Sequence, residues 1–285
     1  MLIESILRLS TPLIFAALAG FMSERSGVIQ IGLEGLMLAG AFVGAIVAHA
    51  THSSWIGWEA AFLAGMTVSA VYAFFVIELE ADQIVAGTAL NLTLAGLIPF
   101  VSKILFNSTG STPALEIQDR FFWEPIVIAF LCVVFLQIWY SKTNSGLWMK
   151  FAGEKPKALE SSGVSPRKVR WFCSLVSGGL AAWGGASLSL FLASSYSPLM
   201  TSGRGFIALA ALIFGRWRPW SACLACLLFG AAESLQIVGQ GQQIFGLTIP
   251  VQLIQILPYI FTILALAGFV GKNSPPASLG KPLNS

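Results

Sequence analysis

Few side chains in this sequence are equipped for chemistry, and their spacing excludes most of it. The four cysteines, Cys132, Cys173, Cys223 and Cys226, all lie inside apolar runs. Cys223 and Cys226 have C-x-x-C spacing, which suits a redox pair or half a metal site. No second pair and no nearby histidine completes a zinc set, because His49 and His52 fall together near the end of a distant apolar run. The expected state is two small buried residues on one helix face, with no metal. A G-x-x-x-x-G-K-[ST] phosphate loop is missing: Asn273 follows Gly271-Lys272, and Pro282 follows Gly280-Lys281. Neither H-E-x-x-H nor G-x-S-x-G occurs, and no nucleophile is paired with a base. The chain therefore shows no means of hydrolysing ATP itself and no catalytic set.

What remains are polar side chains within apolar stretches, which are costly at membrane depth and are functional candidates by default. Glu34 stands among Gly27, Gly32, Gly35, Gly40 and Gly44, where open backbone suits a cavity. Asn91 carries amide donors and an acceptor suited to a sugar hydroxyl or a base edge. Glu233 and Gln236 share one helix face by their i,i+3 spacing. These four are candidates to line a substrate path, with interhelical hydrogen bonding the competing role for each. Gln252 and Gln255 are weaker candidates of the same kind.

The elements that must position these residues are membrane helices. Of the 285 residues, 56% are hydrophobic and 10% charged, against about a quarter charged in a typical soluble domain. At about 20 apolar residues per crossing, the length allows roughly eight to ten spans and no separate soluble domain. The net charge of +3 is too small, and too concentrated in one loop, to indicate nucleic-acid binding.

Apolar runs predict spans at residues 3–22, 28–50, 55–77, 84–106, 125–140, 171–193, 220–238 and 249–270, with a short crossing segment at 205–214. The first run carries Glu4 and Arg8 as an i,i+4 pair. Ala17-Leu18-Ala19 offers a signal-peptidase site, but no basic region precedes the apolar stretch, so an uncleaved helix is expected. Residues 1–270 then form a transmembrane domain, and the Pro/Ser-rich residues 271–285 are expected to be a disordered tail. Glycines crowd the second span and flank the short segment. This is the pattern of interrupted helices along a transport path, where an inverted repeat is possible. Equally, pairs such as Gly40-x-x-x-Gly44 permit close helix packing.

Charge placement orients the bundle. Residues 141–170 hold seven basic side chains (Lys142, Lys150, Lys155, Lys157, Arg167, Lys168, Arg170) against Glu154 and Glu160. With that loop in the cytoplasm, twelve of the 16 basic residues lie inside, leaving Arg8, Lys103, Arg120 and Arg204 outside or embedded. The N-terminus is then outside and the C-terminus inside. Within the loop, Pro156 suits the first turn of a helix over 157–162, and Gly163 suits its end. Ser165-Pro166 reads as the start of the next helix. The result is a short charged helix joining two spans, either a handle for an external force or an ordinary solvated loop.

Residues 146–164 (GLWMKFAGEKPKALESSGV) resemble the loop "GLRLRAVGENPRAAEAAGI" of ABC-importer permeases of the branched-chain amino acid, ribose and nucleoside type. Four further passages match in the same order: 23–35 (SERSGVIQIGLEG), 81–92 (ADQIVAGTALNL), 203–210 (GRGFIALA) and 262–269 (TILALAGF). The first and last of these are most similar to the nucleoside-uptake branch, specifically the shorter of its two paired permeases. The resemblance implies an all-α polytopic bundle in a bacterial inner membrane, working with ABC ATPase subunits, a second homologous permease and an external substrate-binding protein. ATP would be bound by the partner. Gly153, Glu154, Pro156, Lys157, Glu160 and Gly163 would form the coupling helix in the ATPase groove, with Glu154 and Glu160 meeting basic groups there. Leu159 and Ser161-Ser162 replace common alanines, and Trp148 a usual arginine, so the partner's groove would differ in detail. The substrate implied is a nucleoside, with a simple sugar as the alternative. A secondary transporter or a passive assembly subunit are the rival readings of the same composition.

Overall fold

Seven apolar stretches fold into helices long enough to cross a bilayer in the computed structural model, which describes residues 2–106, 110–239, 243–244, 247–248 and 275–283. They are α1 (Leu2–Arg25), α2 (Leu33–Thr51), α3 (Ser54–Ala73, prolonged by a π-turn to Glu78), α4 (Gln83–Phe106), α5 (Glu124–Lys142), α8 (Pro166–Ser187, prolonged by a π-turn to Leu192) and α10 (Pro219–Gly239). Between them lie α6 (Asn144–Glu154), α7 (Pro156–Ser161) and the short apolar α9 (Arg204–Phe214). The strand pairing among the described residues is one two-residue hairpin, Gln243–Ile244 with Leu247–Thr248. This is an all-α polytopic bundle, as the spacing predicts. The expected last span, 249–270, with Gln252 and Gln255, lies outside the described residues.

Several boundaries differ from the sequence expectation. α1 continues to Arg25, so Ser23, Glu24 and Arg25 are helical rather than loop. α2 starts at Leu33 instead of residue 28, because Gly27 takes a positive φ of 101° and turns the chain. The Ser23 hydroxyl closes that turn by donating to the Val28 carbonyl at 2.8 Å. Residues 26–32 are consequently non-helical. The short segment, with its approach, runs from one end of the bundle to the other. Residues 193–203 are irregular and begin beside the 110–123 loop, where Leu115 N–H donates to Ser194 O at 2.7 Å. α9 then ends at a turn whose Trp217 indole donates to Glu24 at 2.6 Å, at the far end of α1.

The expected disordered tail is also different. Residues 275–283 are laid along the bundle, with the Ser278 backbone N–H donating to Gly153 O at 2.9 Å and Gly280 N–H to Gly27 O at 3.1 Å. A Pro/Ser-rich composition supplies little apolar surface of its own, but here the bundle supplies the partners.

The core sits where α8 packs against α1, α2 and α3. Lipid is as apolar as leucine, so close backbone approach rather than hydrophobicity must hold such helices together. A Cβ on Gly40 would stand 2.1 Å from Ala182 O, and one on Gly65 2.2 Å from Gly178 O. The close-packing role expected of Gly40 therefore holds. Gly40→Leu is expected to lower the detergent melting temperature by roughly 5–10 °C, measured by thermal-shift fluorescence. Phe15 packs edge to face on Trp58 and Trp183, which stack on each other, and Phe121 meets Trp58 edge to face. α4 and α5 by contrast turn Leu92, Phe100, Ile104, Leu131, Phe135 and Ile138 outward, as lipid-facing or partner-facing helices do.

Candidate functional site

Two helix starts meet inside the bundle. α2 begins after the irregular 26–32, and α9 after the irregular 193–203. The Glu34 carboxylate lies between them, one oxygen accepting from Gly203 N–H at 2.7 Å and the other from Gly205 N–H at 2.8 Å. An anion there satisfies two of α9's unpaired amides and complements the positive end of its dipole. Gly205 is required by proximity, since a Cβ would stand 2.6 Å from Glu34 N. The intervening residue, Arg204, pairs with Glu233 of α10. Its guanidinium also donates to Met200 O at 3.2 Å. Glu34 and Glu233 thus converge on one turn of chain, one holding its backbone and the other its side chain. Gln236 stands about one turn further along α10, half-buried, and among the described residues makes no hydrogen bond to this centre.

Asn91 serves the other break. Its carbonyl accepts from Gly35 N–H at 2.8 Å and its amide donates to Ile31 O at 3.0 Å. Gln83 accepts from Ile29 N–H at 2.7 Å, Tyr72 donates to Ile29 O, and the Gln30 amide reaches Ser177 at 3.3 Å. Non-helical backbone survives at membrane depth only when its polar groups are met in this way. Asn91 therefore makes interhelical hydrogen bonds of the kind that compete with a path role. Asn91→Ala strands an amide and a carbonyl at about 1–3 kcal/mol each. A fall in melting temperature together with reduced uptake is expected, and uptake lost at unchanged stability would instead assign Asn91 to substrate.

The charged loop is built from α6 and α7. Thr143 caps α6 by accepting from Gly146 N–H at 3.1 Å. Gly153 then meets the end of α1 so closely that a Cβ would stand 2.2 Å from Arg25 O. Glu154 pairs with Arg25 at 3.1 Å and accepts from Ala277 N–H at 3.3 Å. Its carboxylate is thus held within the chain, whereas Glu160 and Lys157 are exposed. Pro156 opens α7, as predicted, and Leu159 is the buried anchor. Gly163 closes it with a φ of 86°, donating to Glu160 O at 2.9 Å. Pro166 opens α8 in turn, as the sequence predicts.

Sequence reasoning missed α6, Arg204 as the link between the two acids, and Arg170. The last is buried in α8 and donates to Ser26 O at 3.2 Å and Lys281 O at 2.9 Å. An arginine between two glycines at the head of a short apolar run was the available signal for Arg204, since such a charge needs an acid partner.

A bundle of membrane helices broken at its centre, with a short helix standing at one rim, is the architecture of a transport permease. The pattern of the family described as "Branched-chain amino acid transport system / permease component" matches residues 2–266, and the chain belongs to that family. It is a transmembrane permease subunit of an ABC importer and not an enzyme. The chain is 35% identical to the nucleoside ABC transporter permease protein NupC of Lactococcus lactis subsp. cremoris, covering 98% of this chain and 95% of that one. It is 34% identical to the guanosine ABC transporter permease protein NupQ of Bacillus subtilis, over 96% and 93% of the two chains. Its fold is similar to that of a solved structure described as a metal-chelate type ABC transporter in an inward-facing conformation. The TM-score there is 0.51 at 13% identity, over 93% of this chain and 85% of that one.

Proposed function

We propose that this chain is one of two paired permeases of an ATP-driven nucleoside importer in a bacterial inner membrane. The observation that carries the substrate is similarity along 98% and 96% of the chain to permeases described as handling nucleosides and guanosine. The partners are ABC ATPase subunits that bind the ATP, a second homologous permease and an external binding protein. Residues 1–270 form the permease domain, with the N-terminus outside and the C-terminus inside. The gathering of the end of α1, the α6–α7 element, the Trp217 turn and residues 275–283 at one end of the bundle supports that orientation, since those segments, together with the end of α5 and the start of α8 that flank the α6–α7 element, carry eleven of the 16 basic residues.

Transport runs by alternating access. ATPase closure moves α7, and its Leu159 anchor, with the Gly153–Arg25 contact of the adjoining α6, passes the motion to α1, to the start of α8 and to residues 26–32. That segment leads directly into the start of α2, which carries Glu34, so the carboxylate shifts against the amides of Gly203 and Gly205 and the two broken helices reorient. Lys157 and Glu160 face the ATPase, while Gly153, Glu154, Pro156 and Gly163 hold the element in shape. Glu34 and Glu233 line the path at the break, with Gln236 a turn away and Asn91 bracing the wall.

The complete complex, reconstituted in proteoliposomes with its binding protein, tests this. ATP-dependent uptake of labelled guanosine, competed by adenosine and uridine and indifferent to ribose, is the expected result. Uptake of ribose in place of nucleosides would overturn the substrate and leave the permease class intact.

A further inference from the structure

Residues 275–283 form a second wall beside the coupling element, and their fixing is more thorough than a passing tail requires. Ser278 is 7% exposed; its N–H and its hydroxyl both donate to Gly153 O, at 2.9 and 2.6 Å. Ala277 N–H reaches the Glu154 carboxylate, and the buried Arg170 holds Lys281 O at 2.9 Å. Gly280, with a φ of 75°, lies so near Ile29 that a Cβ would stand 2.8 Å from its Cδ1. Leu283 packs on the cluster of Val28, Tyr72 and Ile77.

The consequence is a groove of about 490 Å³ whose one side is α7 with its approach and whose other side is this segment. Lys155 and Lys157 line the first side and Lys281 the second, all three exposed. The acid in the groove, Glu154, is already paired with Arg25. The rim is therefore positive, which fits an acidic edge on the partner.

We propose that residues 275–283 are part of the ATPase seat: an acidic edge of the ATPase subunit lies in this groove and engages Lys281 together with Lys157. This rests on the reading of α7 as the coupling element. Because the segment is tied to Gly27 as well as to Gly153, the load of docking is spread directly onto residues 26–32.

The test is binding of the purified cognate ATPase subunit to the permease pair in nanodiscs, at low and high salt, for four forms of this chain. Lys281→Glu alters an exposed side chain whose structural contact is its backbone carbonyl, so folding is retained. It is expected to weaken binding about fivefold at low salt and less at high salt. Gly280→Val, which changes no charge, is expected to weaken binding by lifting the segment, with faster hydrogen exchange at Ala277 and Ser278, whose N–H groups donate to Glu154 and Gly153. Lys157→Glu is the control on α7. Weakening by Lys157→Glu with wild-type binding by Lys281→Glu and Gly280→Val would overturn the role of the tail alone. Wild-type binding by Lys157→Glu as well would overturn the reading of α7 on which it rests.

Discussion

Glu34→Ala is expected to reduce ATP-driven uptake by at least about tenfold while the complex still assembles. The carboxylate accepts from Gly203 and Gly205, and each charge-assisted bond contributes about 1.5–3 kcal/mol. Losing both leaves the start of α9 without acceptors at membrane depth, and Arg204 loses the cap on either side of it. The cost falls on the geometry of the break rather than on the close packing of α8 with α1, α2 and α3, so the protein should remain folded. Glu34→Gln keeps one acceptor oxygen and presents an amide to the other N–H, so an intermediate loss is expected. Uptake assays beside size-exclusion profiles of the purified complex separate the two effects. Wild-type uptake by Glu34→Ala would remove Glu34 from the mechanism.

Gly153→Val is expected to take uptake close to the level without ATP while ATP hydrolysis continues. The atoms a Cβ would meet are backbone, Arg25 O at 2.2 Å and Gly27 N at 3.4 Å, so no flexible side chain can yield. The end of α6 must move away from α1, and the Arg25–Glu154 pair and the bonds of Ser278 to Gly153 O move with it. The ATPase can still turn over, but α7 no longer presses on the bundle. Nucleoside taken up per ATP hydrolysed, measured on the same vesicles, reads the effect. A ratio equal to that of the wild type would show that force does not travel through this contact.

How far the sequence revealed the site depends on how local each signal is. Pro156, Gly163 and Ser165-Pro166 were legible because a missing N–H, a positive φ and a helix start are properties of a few consecutive residues. Glu34 and Glu233 were legible as acids in apolar runs, but their convergence was not. Glu34 and Gly203 are 169 positions apart, and only the packing of α2, α9 and α10 brings them together. The start of α2 was misplaced because Val28, Ile29 and Ile31 look helical in an apolar run, while the side chains that stabilise an extended path there, Tyr72, Gln83 and Asn91, come from α3 and α4. α6 was hidden by Gly146 and Gly153, whose small size serves contacts with Tyr140 and Arg25 at the expense of helix propensity. The tail was misread for a similar reason: composition reports what a segment can bury by itself, and residues 275–283 are held by groups of the bundle.

The central claim is that α7 carries the work of the ATPase to a broken-helix centre that passes nucleosides. It is tested most directly by ATP-dependent guanosine uptake in proteoliposomes containing the Lys157→Glu/Glu160→Lys double variant. Both side chains are exposed and the double change leaves the net charge as it was, so the fold and the membrane orientation are preserved while the docking pattern is inverted. Uptake at the level without ATP, with the permease pair intact, is the predicted result; uptake equal to that of the wild type would contradict it.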